Sequence, residues 1–121
     1  MAKNKILVVD DSPTDMMVIS NSLRANGYEV ITARDGDEAM RRLDSDQPDL
    51  VLLDVVMPGK NGFQLCRQIR NDARYNGLPV ILLTSKNQEA DKFWGMKQGA
   101  TAYMTKPFAP DALLATVRQH V

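Results

Sequence analysis

Leu50-Val51-Leu52-Leu53-Asp54 is the stretch on which the fold turns. Four consecutive apolar residues without polar alternation suit a strand covered on both faces, as in the interior of a parallel sheet. An aspartate closes the run. The same grammar recurs on either side. Upstream, Ile6-Leu7-Val8-Val9 runs into Asp10-Asp11. Downstream, Pro79-Val80-Ile81-Leu82-Leu83 runs into Thr84-Ser85, and Thr101 to Met104 leads through Thr105 to Lys106. Tyr28 to Ala33 is a further, more polar run, as an edge strand would be.

Amphipathic segments separate these runs. Ser12 or Thr14 is expected to cap the first helix, and Pro13 suits its first turn. Met17, Ile19 and Leu23 supply its apolar side, with Val18 alongside, and Asn26-Gly27 stops it. Asp37 is the expected cap of a second helix, whose stripe is Ala39, Met40 and Leu43 and whose end is Gln47-Pro48. Phe63, Cys66 and Ile69 share a face of the third, with Leu65 beside them. Gln88 to Met96 forms a fourth, closed by Gly99. Phe93 and Trp94 are adjacent there and cannot share a face, so one is expected in the core and the other, partly exposed, at a contact surface. Asp111 to Val121 forms the last, with Leu113, Leu114 and Val117 for the core. Five alternations of strand and helix imply an α/β fold: a doubly wound parallel sheet with right-handed crossovers and helices on both faces.

Bulk properties narrow the function. The 121 residues suit one domain, residues 1–121. Fifteen basic and fifteen acidic residues cancel, so no overall basic excess draws the chain to nucleic acid. Cys66 is the single cysteine, which excludes an internal disulfide and a cysteine-based zinc cluster and fits a reducing compartment. The first apolar run is too short for a signal peptide or membrane span. The expected location is the cytoplasm.

The chemistry gathers where parallel sheets put it, at the carboxyl ends of the strands. There the pattern collects Asp10, Asp11, Asp54, Thr84, Ser85 and Lys106. Closely packed carboxylates push one of their number toward protonation unless a cation joins them. Mg²⁺ suits such an oxygen set, and Lys106 supplies a second countercharge. A carboxylate nucleophile, a metal, an ammonium and a hydroxyl together are the parts of a phosphoryl-transfer site.

With these residues in view, the chain strongly resembles the receiver domains of two-component response regulators, the CheY-like, flavodoxin-like (βα)5 fold. The resemblance rests on Val8-Val9-Asp10-Asp11-Ser12, Leu52-Leu53-Asp54-Val55-Val56-Met57-Pro58, Gly62, Leu82-Leu83-Thr84-Ser85, Gly99-Ala100 and Lys106-Pro107-Phe108. It covers essentially the whole chain and implies strand order 2-1-3-4-5. It also implies that Asp54 accepts the phosphoryl group and that Asp10, Asp11, Asp54 and the Val56 carbonyl hold Mg²⁺. Thr84 would donate to the phosphoryl group, and Lys106 would pair with it, or with Asp54 beforehand. The Lys106-Pro107 bond would be cis, and Tyr103 would be the aromatic switch. A histidine kinase would be the donor, and a protein target would read the face of the fourth helix, fifth strand and fifth helix. Val56 and Lys86 depart from the best-known chemotaxis members, and both would flank the phosphoryl group and influence its lifetime. The methionine-rich first helix and Phe93-Trp94 are similar to receivers of type IV pilus chemosensory systems, which points to chemotaxis or twitching motility.

Other readings stay open in sequence. A stand-alone receiver would act through protein contact, as a phosphorelay intermediate, or as a phosphate sink. An aspartate-nucleophile phosphatase would place two aspartates two residues apart after the first strand, whereas Asp10 and Asp11 are adjacent. A flavodoxin-like cofactor binder would need a phosphate loop, which Asp10-Asp11 would repel.

Overall fold

The computed structural model describes residues 4–121. Five parallel strands alternate with five helices: β1 (Lys5–Val9), α1 (Pro13–Ala25), β2 (Glu29–Ala33), α2 (Gly36–Asp46), β3 (Leu50–Leu53), α3 (Gly62–Asn71), β4 (Val80–Thr84), α4 (Glu89–Lys97), β5 (Ala102–Thr105) and α5 (Pro110–His120). A 3-10 turn, Ala73–Tyr75, follows α3. The sheet order is β2-β1-β3-β4-β5, with every pairing parallel. β3 pairs with β1 and β4 in the middle of the sheet, so Leu50 to Leu53 are all buried. That environment is what their unbroken hydrophobicity required. β2 lies at an edge and is only partly covered, in keeping with its mixed composition.

Alternate residues of the central strands feed two cores. Leu7, Val9, Val51, Leu53 and Leu82 pack with Leu43, Leu65, Cys66 and Ile69 on one face. Ile6, Val8, Leu52, Ile81 and Leu83 pack with Ile19, Leu23, Leu113 and Val117 on the other. Each fully buried Leu or Ile contributes about 1.5–3 kcal/mol.

Three local expectations need correction. The inward face of α1 is Ile19, Ser20 and Leu23, all buried, with Met16 partly covered beside them, whereas Met17 and Val18 are exposed. At 100° per residue, Met17 and Val18 are turned away from that face. The α2 cap is Asp35 and not Asp37: the Asp35 carboxylate accepts the Glu38 N–H at 2.8 Å. Asp37 falls in the first turn, where its charge still suits the helix dipole. Neither Phe93 nor Trp94 is core. They are 63% and 52% exposed, because Gly95 alone takes the seat of α4 against the sheet. A Cβ on Gly95 would stand 2.8 Å from Leu82 Cδ1 and 2.9 Å from the Tyr103 ring, so a larger residue cannot occupy that seat at this helix spacing.

Candidate functional site

β1 and β3 are neighbours, and Asp10 and Asp54 directly follow them. Backbone bonds fix both positions: the Asp10 N–H donates to the Ala33 carbonyl at 3.1 Å and the Asp54 N–H to the Val9 carbonyl at 2.9 Å. The sheet itself therefore sets the spacing of the two carboxylates. Asp11 follows Asp10 before α1 begins. Asp10, Asp11 and Asp54 each offer an oxygen, and these oxygens lie within 4.8 Å of one another. Asp10 and Asp54 are buried and Asp11 is exposed, so the cluster opens outward on the Asp11 side.

Lys106 also borders the cluster. Its N–H bonds the Thr84 carbonyl at 2.8 Å, which holds the residue at the end of the β4–β5 pair. Its Nζ lies 2.7 Å from Asp10 Oδ2, 2.9 Å from Asp15 Oδ2 and 3.4 Å from Asp54 Oδ2. The Lys106-Pro107 peptide is cis, as expected. Asp15 went unrecognised in the sequence. It lies in the first turn of α1, where an acidic residue reads as ordinary helix-dipole chemistry. No local pattern marks it, because Asp11 precedes the helix and shares no helical face with Asp15.

Burial pushes the Asp10 carboxyl above its usual range, against the pull of its bonds to Lys106 and to the Ser12 N–H. Burial alone would lower the Lys106 ammonium, but bonds to Asp10 and Asp15 outweigh it and hold the lysine charged. Asp10, Asp15 and Asp54 share that one ammonium, and Asp11 has no ion pair among the described residues. This uneven balance is what a divalent cation would correct. The donor set is all oxygen, which fits Mg²⁺.

Thr84 is fully buried and does not cap α4, whose cap is Gln88. Its Oγ1 accepts the Lys86 N–H at 3.4 Å, which leaves its own proton free. The Lys86 carbonyl in turn accepts the Tyr103 hydroxyl at 2.7 Å. The Tyr103 ring is half-buried against Gly95 and the first core. Burial pushes its phenol up to about 12. Val56 is exposed, and its N–H donates to Asp54 Oδ1 at 3.3 Å. Ser85 and Lys86 are also exposed. His120 ends α5, far along the chain from the acidic cluster.

Fold and site together define a doubly wound signalling-type domain with an acidic, lysine-flanked pocket at its strand ends. Residues 6–118 match the model of the response regulator receiver domain family, and the chain belongs to it. It is 46% identical over 113 residues to protein PilH of Pseudomonas aeruginosa, covering 93% of each. It is 42% identical over 114 residues to the alkaline phosphatase synthesis transcriptional regulatory protein PhoP of Bacillus subtilis, of whose length the match covers 47%. Among solved structures, the chemotaxis protein CheY4 of Vibrio cholerae superposes with a TM-score of 0.93 at 36% identity, over 99% of this chain and 100% of that one. Asp10, Asp11 and Asp54 form the acidic cluster typical of aspartate phosphorylation and metal binding in this family. Such domains are phosphoacceptor signalling modules and not turnover enzymes, so neither the phosphatase nor the cofactor-binding reading is retained. No helix among the described residues is long and apolar enough to cross a membrane.

Proposed function

We propose that residues 1–121 act as one receiver unit whose Asp54 takes a phosphoryl group from a phosphohistidine of a histidine kinase. The observation that carries this reading is the meeting of Asp10, Asp11 and Asp54 within 4.8 Å, with the Lys106 ammonium against Asp10 and Asp54. An Asp54 carboxylate oxygen attacks phosphorus. The new O–P bond forms as the N–P bond breaks, and the bonding electrons leave with the donor imidazole. Asp10, Asp11, Asp54 and the Val56 carbonyl would hold Mg²⁺, whose charge would offset that of the phosphoryl oxygens. Lys106 offers its ammonium to one oxygen and Thr84 its free hydroxyl proton to another.

The same residues carry the signal. When Thr84 turns to the phosphoryl group, its bond from the Lys86 N–H is lost, and Lys86 is also the anchor of Tyr103. The change passes to the face of α4, β5 and α5, which a protein target reads, as a shift between states that differ by a few bonds. Kinship to the chemotaxis protein CheY4 supports a role in chemotaxis; the methionine-rich first helix and Phe93-Trp94 favour twitching motility as the alternative, and the single cysteine fits a cytoplasmic setting for either.

The test is phosphotransfer from histidine kinases carrying labelled phosphate. Wild type should become labelled only with Mg²⁺, and Asp54→Ala should not. Full labelling of Asp54→Ala would reject the assignment.

A further inference from the structure

An ammonium has three hydrogens to give, and Lys106 faces three carboxylates at unequal distances: Asp10 at 2.7 Å, Asp15 at 2.9 Å and Asp54 at 3.4 Å. The longest bond goes to the residue that does the chemistry. Asp10 is fixed, with its side chain 2% exposed. Asp15 differs. Its backbone is pinned where its N–H donates to the Ser12 hydroxyl at 3.3 Å, but its side chain is 47% exposed. It also borders, with Lys106, a cleft of about 420 Å³ that includes Val18, Ser85 and Phe108. The Asp15 carboxylate thus has room to swing away, and the buried one does not.

We infer that Asp15 is a positioning residue that holds the Lys106 ammonium back from Asp54 in the resting protein and releases it when a phosphoryl group arrives. This rests on the phosphoacceptor reading above. A phosphoryl group on Asp54 adds strong acceptor oxygens and negative charge beside Nζ. Each contact that Lys106 gains with those oxygens loosens its bond to Asp15. The Asp15 charge also repels the group directly. Both effects oppose the phosphorylated state, so Asp15 sets how readily that state is populated.

The probe is beryllium trifluoride, a phosphoryl mimic, titrated at saturating Mg²⁺ and followed by the bound ¹⁹F signal. Asp15→Asn keeps an acceptor for Lys106 and removes the charge. It should bind the mimic about threefold tighter than wild type, the size expected of a half-exposed ion pair. Asp15→Glu should return to the wild-type value. A merely structural role would lower the unfolding temperature of Asp15→Asn without tightening the mimic. Asp15→Asn binding equal to or weaker than wild type overturns the inference, as does Asp15→Glu matching Asp15→Asn. A wild type that shows no bound signal, or an Asp54→Ala that shows one, overturns the phosphoacceptor reading itself.

Discussion

Cys66 shows how environment decides what a reactive residue does. It lies on the buried face of α3, fully covered, with its thiol 3.6 Å from the Gln98 carbonyl. Burial pushes the thiol up to about 11, while the charge of Arg70 pulls less strongly the other way. The thiolate is the reactive form. At pH 8 the folded protein therefore holds almost none of it. A thiol reagent at pH 8 should modify Cys66 at the rate at which the chain opens, not at the rate of an exposed thiol. Denaturant should accelerate labelling in step with unfolding, and labelling of the native protein as fast as of the unfolded chain would contradict the burial. The raised value has a stability counterpart. The contribution of the neutral thiol is fully present below the unfolded value and is lost as pH rises through about 11. The sequence reading of Cys66 as a small buried hydrophobe agrees with this, because its spacing from Phe63 and Ile69 put it on the core stripe.

The loop between β3 and α3 depends on one residue without a side chain. Gly62 opens α3 and donates its N–H to the Val55 carbonyl at 2.8 Å. A Cβ there would stand 2.2 Å from the Asp54 carbonyl oxygen and 2.7 Å from Val55 Cα, which are backbone atoms with no freedom to retreat. Gly62→Ala should therefore push the loop off Asp54 and Val56. It should cost about 1–3 kcal/mol of stability, the usual range for overpacking, and weaken Mg²⁺ binding, both readable from thermal melts with and without the ion. Unchanged melts would show that the loop can give way. Elements of this kind were legible in the sequence where a local rule decided them. Interior strands announce themselves by unbroken apolar runs, and helix ends by Asn26-Gly27 or Gln47-Pro48. What the sequence hid depends on contacts made across the fold. Arg70 is an example: nothing in the local sequence singles it out, and its guanidinium bonds the carbonyls of Tyr75, Leu78 and Gly99 and the Thr101 hydroxyl. Asp15 was hidden for the same reason, since Lys106 is 91 residues away in sequence. The exposure of both Phe93 and Trp94 followed from Gly95, whose role needs the distance to Tyr103 to be seen.

At the scale of the molecule, two cores fasten α1, α2, α3 and α5 to one sheet while α4 sits on Gly95, and the acidic site is the place where that packing works against itself. Asp10 is 2% exposed and its carboxyl is raised chiefly by burial. A folded-state value above the unfolded one means that ionised Asp10 destabilises the metal-free protein. Its contribution to stability is fully present below the unfolded value of 3.8 and is lost as pH rises through the folded one. Mg²⁺ needs the ionised carboxylate, so its effect has the opposite sign. Three results should follow together in melts of the whole domain. Asp10→Asn should unfold at a higher temperature than wild type when both lack metal at pH 7. Mg²⁺ at a hundred times its dissociation constant should stabilise wild type by about 2.7 kcal/mol, a rise of roughly 10 °C for a domain of this size, and Asp10→Asn much less. The wild-type curves with and without Mg²⁺ should converge as pH falls through the folded value of Asp10, because the proton and the metal compete for one oxygen pair. If Asp10→Asn proves less stable than the metal-free wild type, then the Lys106 bond at 2.7 Å outweighs burial, and the site is built by its ion pair instead of being strained by its charge.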